Sequence, residues 1–350
     1  MRALTVIPHR DDSAELTQVP EPADEPDKVL IETHAVGVCG TDMEIVRGLY
    51  GWAPPGKSRL ILGHESVGRV LDAPSGSGLQ VGDWVVGIVR RPDPLPCPNC
   101  AIGEWDMCRN GRYTEHGIKE LDGFAVERHR LDADALVRID PCLEELGVLL
   151  EPASVLAKAW EHIERIGARA LFAPQQVLVT GAGPIGLLAA LLGRQRGLEV
   201  HVLDRNDAGP KPDLVRALGA TYHVADADWT KRVPPPDIVL ECTGVGSLVL
   251  EVIALAPSAG IVCLTGVSSG RRRVPVDADA LNREMVLENN VVFGSVNANR
   301  RHYEAAADAL ARADQDWLRR LLTRRVPLDR WREALERRPD DVKPFIDLRA

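Results

Sequence analysis

Val177-Leu178-Val179-Thr180-Gly181-Ala182-Gly183-Pro184-Ile185-Gly186-Leu187-Leu188 is the stretch whose reading decides the fold. It predicts a buried strand, a tight glycine turn and the opening of a helix. Gly181 permits the turn, Gly183 lets a pyrophosphate approach the backbone, and Gly186 lets helix and strand pack closely. The helix start then meets phosphates with unpaired N–H groups and the positive end of its dipole. A second apolar strand, Val200-His201-Val202-Leu203, follows and ends at Asp204. That carboxylate lies at about the 20-residue distance expected of a ribose-binding acid. The stretch therefore predicts a dinucleotide site.

The pattern continues outward from that turn. Strands are expected at 176–180, 199–203, 237–242, 260–264 and 291–296, with helices at 185–197, 211–218, 247–256 and 281–289. Near-continuous β-branched runs alternating with helices imply a parallel sheet covered on both faces. Upstream, residues 1 to about 140 read differently. Short apolar runs are separated by turn signals such as Pro54-Pro55-Gly56 and Val81-Gly82-Asp83, which suggests a small, irregular, β-rich domain. Residues 143–166 read as helix, because Leu146, Leu149, Leu150, Ala153, Ala157 and Trp160 recur at helical spacing. The tail from about 300 reads as helical with a final extended piece at 343–348.

Composition bounds the function. The chain has 350 residues, 45% hydrophobic and 27% charged, which predicts about two globular domains. No apolar run reaches the ~18 residues that span a bilayer. The N-terminus is charged too soon for a signal peptide, so a cytoplasmic location is expected. The net charge of −9 argues against a nucleic-acid footprint. The clusters Arg271-Arg272-Arg273 and Arg319 to Arg325 read as solvated faces. Seven Cys is an odd count and does not suit a disulfide framework, so metal binding is the first reading of the clustered ones.

Two groups carry metal-ligand chemistry. The dispersed group is Cys39 in Val38-Cys39-Gly40-Thr41-Asp42, His64-Glu65 in Gly63-His64-Glu65-Ser66, and Glu151 in Leu150-Glu151-Pro152. Thiolate, imidazole and carboxylate suit Zn²⁺, and three protein ligands leave a position open for substrate or water. The compact group is Cys97-Pro98-Asn99-Cys100 with Cys108 downstream. C-x-x-C with a third Cys nearby reads as a closed structural zinc, or else as a metal-free loop of reduced thiols. Asp93 is the nearest upstream candidate for a fourth ligand.

Together these residues resemble the zinc-dependent medium-chain dehydrogenase/reductase family, over nearly the whole chain. The carriers are Cys39-Gly40-Thr41-Asp42, Gly63-His64-Glu65 with Gly68 and Val70, Val81-Gly82-Asp83-Trp84-Val85, the Cys97/Cys100/Cys108 lobe, Gly181–Gly186 and Cys242-Thr243-Gly244. Within the family the likeness is to its glucose 1-dehydrogenase branch. It rests on Glu115-His116-Gly117-Ile118, Leu121-Asp122-Gly123-Phe124, Leu150-Glu151-Pro152 and Gly294-Ser295-Val296-Asn297-Ala298-Asn299.

The resemblance implies a GroES-like catalytic domain at 1–170, completed by 298–350, and a doubly wound Rossmann domain at 171–297. It implies a catalytic zinc in the cleft between them, held by Cys39, His64 and either Glu65 or Glu151. The metal would act as a Lewis acid on a substrate hydroxyl, Thr41 would relay its proton, and hydride would pass to the nicotinamide. For an aldose oxidised at C1 to the lactone, Thr41, Glu115, Glu151 and Asn297 are the expected hydroxyl-binding groups. Cofactor contacts are expected at Gly181, Gly183, Pro184, Ile185 and Gly186, then at Asp204, Arg205 and Thr243. Further contacts are expected at Leu264, Thr265 and Gly266, and at Ser295, Val296 and Asn297. The family also implies a homodimer or homotetramer, with the 291–296 edge strand a candidate for pairing across a two-fold axis.

Two departures from the family pattern stand out. The structural lobe usually has four Cys; here the first is missing and Pro94 stands near its place. Asp204 replaces the Asn or Arg of the NADP-preferring glucose dehydrogenases, which favours NAD with NADP tolerated, Arg205 partly offsetting the charge. Rival readings are a polyol, threonine or simple alcohol dehydrogenase of the same family, and a non-catalytic dinucleotide-binding sensor. The last commonly lacks the metal ligands that are all present here.

Overall fold

A computed structural model of the chain describes residues 1–268 and 273–350. Arg271 and Arg272 of the basic cluster lie outside the described residues. By contact the chain divides into two compact units, Met1–Ser154 with Asn297–Ala350, and Val155–Val296. The division falls inside the helix Leu150–Gly167. Strand–helix alternation begins later, at about 171, where the sequence pattern sets the domain boundary. Packing, not element type, sets where contacts thin out, so a helix can be shared.

The second unit is a six-stranded sheet, all parallel. Across the sheet the order is Thr221–Val224, Glu199–Asp204, Gln176–Thr180, Ile238–Glu241, Ile261–Leu264 and Val291–Gly294. The chain starts at Gln176–Thr180, winds outward to one side, then returns to wind the other way. The order reverses beside the first strand, and the glycine turn leaves from that strand's C-terminal end. This is where open α/β sheets bind ligands. Leu178, Leu203, Val239 and Val262 share one buried cluster, and the helix Pro184–Gln195 buries Gly186 through Gly193. The strand Thr221–Val224 escaped the sequence reading, since Thr-Tyr-His-Val is short and half polar.

The first unit is β-rich. Its seven-stranded sheet is built on Val29–Gly37, which pairs antiparallel with Glu65–Asp72, Arg128–Leu131 and Pro344–Asp347. Five consecutive residues at the end of Val29–Gly37 are buried, as expected of a strand covered on both faces. The tail is not helix followed only by a last strand. Arg324–Pro327 pairs parallel with Pro344–Asp347 and enters the same sheet. Its Arg-Arg-Val-Pro sequence gives no apolar run, so only tertiary pairing reveals it. Among the described residues no helix is long and apolar enough to cross a membrane.

Candidate active site

Cys39 caps the short helix Gly40–Val46, and its sulfur accepts the Thr41 N–H at 3.3 Å. The Cys39 N–H donates back to Asp42 Oδ2 at 2.9 Å, closing a capping box. The sulfur thus sits at the start of the helix with the Thr41 N–H directed at it. Cys39 Sγ lies 3.0 Å from His64 Nε2, and His64 Nδ1 lies 3.3 Å from Asp42 Oδ1. Asp42 therefore orients the imidazole from behind and leaves Nε2 for the sulfur's side. Burial works against a charged imidazole, but the Cys39 sulfur and Asp42 more than offset it and push His64 well above its ordinary range. Burial likewise opposes a charged Asp42, yet His64 and the Cys39 N–H hold it below its ordinary range. These surroundings favour a cation where sulfur meets imidazole. Cys39, His64 and Glu65 offer donor atoms that all lie within 4.8 Å of one another. Thiolate, imidazole and carboxylate in that compass fit Zn²⁺.

The two carboxylates expected at the metal differ. Glu65 opens its strand opposite Gly37, and both its oxygens accept from Lys343 Nζ, at 2.7 and 2.6 Å. A Cβ at residue 37 would stand 2.2 Å from Glu65 Oε2, so only glycine leaves room for this carboxylate. Lys343 is 1% exposed, and sequence reading missed it. A lone lysine before the last strand carries no local signal. Glu151, in the first turn of its helix, is not within the three-residue group. Burial pushes its carboxyl up to about 7; Glu65 and Glu115 add to the shift, while His64 and Lys343 oppose it.

Glu115 is 6% exposed, on a strand that lies antiparallel to Arg90–Arg91. Its Oε1 accepts Arg90 Nε at 3.0 Å, Arg90 Nη2 at 2.9 Å and Asn297 Nδ2 at 2.7 Å. Oε2 has no protein partner among the described residues. Asn297 adopts φ 62, a left-handed conformation that asparagine tolerates. It belongs to the first unit, with Glu115, and not to the unit that carries Ser295 and Val296.

In the compact group Cys97, Cys100 and Cys108 come together, with Cys97 and Cys100 sulfurs 3.6 Å apart. N–H donors from Arg109 and Cys100 lower the Cys97 thiol to about 6. Burial raises Cys100 to about 11, although the Asp93 N–H opposes the shift. The expected Asp93 carboxylate does not join them. Its oxygens accept Leu95 N–H and Asn110 Nδ2, each at 2.8 Å. The residues present supply three donors, one short of a closed structural zinc. Asn299 donates to Asp106 and Glu104, and Arg301 pairs with Glu104, so the tail also pins this lobe.

In the second unit Gly181 has φ 91, and a Cβ on Gly186 would lie 1.8 Å from the Gly181 carbonyl oxygen. Gly183 is the N-cap of the helix, with Pro184 and Ile185 in its first turn. Asp204 accepts Ala182 N–H at 2.6 Å and Asn206 N–H at 3.1 Å, which ties the acid to the turn. Arg205 is exposed. Glu241, fully buried, was not singled out in the sequence. It accepts Thr180 Oγ1, Thr243 N–H and Gly244 N–H, while its backbone oxygen accepts Thr265 and Gly266 N–H. One residue thereby fixes the two loops expected to meet the nicotinamide, including the end of Ile261–Leu264. Lys158 Nζ donates to the Val296 carbonyl at 3.0 Å and steadies the turn after Ser295.

A cavity of about 1200 Å³ lies elsewhere in the first unit. It is lined by Arg59, His116, Phe124 and His129 among others and includes none of Cys39, His64, Glu65 or Glu151. Size does not identify the chemistry here; the donor atoms do.

A thiol–imidazole–carboxylate cluster on a β-rich unit, and a parallel sheet with a glycine turn and an acid at the end of its second strand, are the features of a zinc-type dehydrogenase. Residues 25–141 match the alcohol dehydrogenase GroES-like domain, and residues 144–348 match the glucose dehydrogenase C-terminus. The chain is 36% identical to glucose 1-dehydrogenase of Methanocella arvoryzae, with 100% of both chains covered. It is 39% identical to glucose 1-dehydrogenase of Thermoproteus tenax, over 99% of each. Its fold matches Haloferax mediterranei glucose dehydrogenase in complex with NADP, Zn and gluconolactone, with a TM-score of 0.91, 32% identity and 99% of each chain covered. The chain belongs to the zinc-type medium-chain dehydrogenase/reductase family, close to its glucose 1-dehydrogenases, and is a zinc-dependent NAD(P) dehydrogenase.

Proposed function

We propose that this enzyme oxidises the C1 hydroxyl of a glucose-like aldose, passing hydride to NAD(P)⁺ and releasing a proton and the lactone. The observation that carries this reading is Glu115. Three donors, from Arg90 and Asn297, converge on its Oε1 and leave Oε2 to accept a substrate hydroxyl. Such a buried carboxylate rejects an alcohol that has no second hydroxyl to offer, because its lone pairs then go unpaired. The relatives' names and the lactone in the Haloferax complex point the same way.

Cys39 Sγ and His64 Nε2 hold the metal, with Glu65 or Glu151 as the third protein donor. Bound zinc supplies Lewis acidity that makes a hydroxyl acidic near neutral pH. Thr41, whose N–H is already fixed on the Cys39 sulfur, places its hydroxyl two residues from that donor to take the substrate proton. Glu115, Asn297 and Glu151 orient the sugar. The Gly181–Gly186 turn binds the pyrophosphate, and Asp204 accepts the ribose 2′-hydroxyl and repels a 2′-phosphate, so NAD is preferred and NADP tolerated. Thr243, Leu264–Gly266, Ser295 and Val296 bound the nicotinamide. The Val291–Gly294 strand ends its sheet, which supports pairing of two copies there.

The test is a set of initial rates with NAD and NADP across glucose, galactose, xylose, sorbitol, threonine and ethanol. An aldose is expected to lead with lactone as product; sorbitol, threonine or ethanol in first place would defeat the sugar assignment. A chain without zinc would favour the non-catalytic sensor.

A further inference from the structure

We infer that the cavity of about 1200 Å³ beside His116 is a second binding site, for an uncharged ring compound that carries a hydroxyl or N–H donor. Its wall belongs wholly to the first unit and includes none of Cys39, His64, Glu65, Glu115 or Glu151. The site is therefore separate from the metal ligands and from the sugar carboxylate.

The lining decides the chemistry. Three rings stand side by side: His116 and Phe124 stack with centroids 4.9 Å apart, and Phe124 and His129 lie 5.0 Å apart. Phe124 is held in the core where Gly87 leaves it room, since a Cβ at residue 87 would stand 2.6 Å from its Cζ. The row is thus in place before any ligand arrives. Pro20 with Pro22, and Pro92 with Pro94, add rigid apolar wall without N–H groups. Fixed ring faces of this kind receive another ring by offset or edge contacts. The volume exceeds the ~300–1,000 Å³ of ordinary small-molecule sites, so two fused rings fit. Charge does not select an anion here. Every lysine and arginine on the wall already has a carboxylate partner, Lys57 with Asp122 and Arg128 with Glu21 among them.

Two ring nitrogens are left to the ligand. His116 Nδ1 lies 2.8 Å from the Asp122 carbonyl, which can only accept, so Nδ1 carries the ring proton. Burial pushes this imidazole down to about 4 and keeps it neutral near pH 7. Its Nε2 is then a bare acceptor, and no protein group among the described residues donates to it. His129 is held through Nδ1 by Thr33 Oγ1 at 3.0 Å, and its Nε2 likewise has no protein partner among the described residues. A bare acceptor among apolar ring faces asks for a donor on a ring, because a buried acceptor left unpaired loses free energy.

The test is calorimetric titration of the zinc-loaded enzyme near neutral pH with three probes of similar size: 2-naphthol, 2-methoxynaphthalene and 2-naphthoate. The first has a donor, the second none, and the third a charge. 2-Naphthol should bind saturably, about tenfold more tightly than either of the others. Saturating glucose should leave its affinity unchanged. In His116→Phe its affinity should fall to that of 2-methoxynaphthalene, which should bind the variant as it binds wild type. Absence of saturable 2-naphthol binding would overturn the inference. So would equal or tighter binding of 2-methoxynaphthalene or 2-naphthoate, since the ligand class would then be wrong. Displacement of 2-naphthol by glucose would place the probe at the sugar site and overturn it as well. A folded His116→Phe that keeps the tenfold preference would remove His116 as the acceptor and with it the argument. If that variant does not fold, the three probes and the glucose competition on wild type still decide.

Discussion

The two cysteine groups of the first unit invite opposite judgements from sequence and from structure. Cys97, Cys100 and Cys108 lie close along the chain, and the structure gathers their sulfurs. Among the described residues no fourth donor joins them: Asp93 spends its oxygens on Leu95 and Asn110. Cys39, His64 and Glu65 come from two separate strand ends, yet they sit in a complete electrostatic frame. Asp42 backs the imidazole, the helix start backs the sulfur, and Lys343 backs the carboxylate. Spacing in sequence reports how cheaply donors can meet. The partners behind the donors report what the site is built to hold.

The sharpest way to break that contrast is to remove a donor from each group. Cys39→Ala or His64→Ala should lower kcat by about 10³ or more, while the affinity for NAD, read by quenching of protein fluorescence, stays within about twofold. Turnover surviving in either variant would deny the dispersed group its role. Cys100→Ser should leave kcat within about twofold and lower Tm by about 3 °C. Metal analysis decides the rest: zinc per chain should not change in Cys100→Ser. A fall by half would mean that the compact group holds an ion of its own, and the contrast between the groups would collapse.

A smaller effect tests the other unit. Asp204 is tied to Ala182 and Asn206 N–H, so its charge is held beside the glycine turn. Asp204→Ala should raise the ratio of NADP to NAD use, measured as kcat/KM, by about tenfold, equivalent to about 1.4 kcal/mol. An unchanged ratio would assign cofactor choice to Arg205 or another group.

How much of this was legible beforehand follows from the range of each interaction. The glycine turn is local: Gly181, Gly183, Gly186 and Asp204 sit where the strand–turn–helix pattern requires, and the parallel sheet followed from β-branched runs. Glu241 was not legible, because a buried acid that ties two loops looks like any strand-end glutamate. Lys343 was less so still. Its partner is 278 residues away in sequence, and only the return of the tail beside Gly37 brings them together. The strand Arg324–Pro327 failed for the same reason, having no apolar pattern apart from the partner it pairs with. Cys39 and His64 were legible only as a set and through a family likeness, since each alone reads equally well as a core thiol or a turn residue.

The histidines of the first unit give the smallest and most discriminating test of what marks a ligand. His64 sits between a sulfur and a carboxylate and is pushed up. His116 and His129 flank Phe124 and form no ion pair among the described residues; Asp122 and Asp132 only partly oppose the effect of burial on His116. Burial lowers His116 to about 4, and burial with His116 nearby lowers His129 to about 3. Both are neutral when folded and titrate near 6.5 when unfolded. As pH falls below about 6.5 the unfolded chain binds protons that the folded chain refuses, so stability is full above that value and drains away towards pH 4 and 3. Between pH 7.5 and 6 each should cost about 0.8 kcal/mol. Urea unfolding at the two pH values should show that loss shrinking in His116→Gln and in His129→Gln, and shrinking further in the double variant. If the loss is the same in all of them, neither imidazole is held neutral by burial when folded.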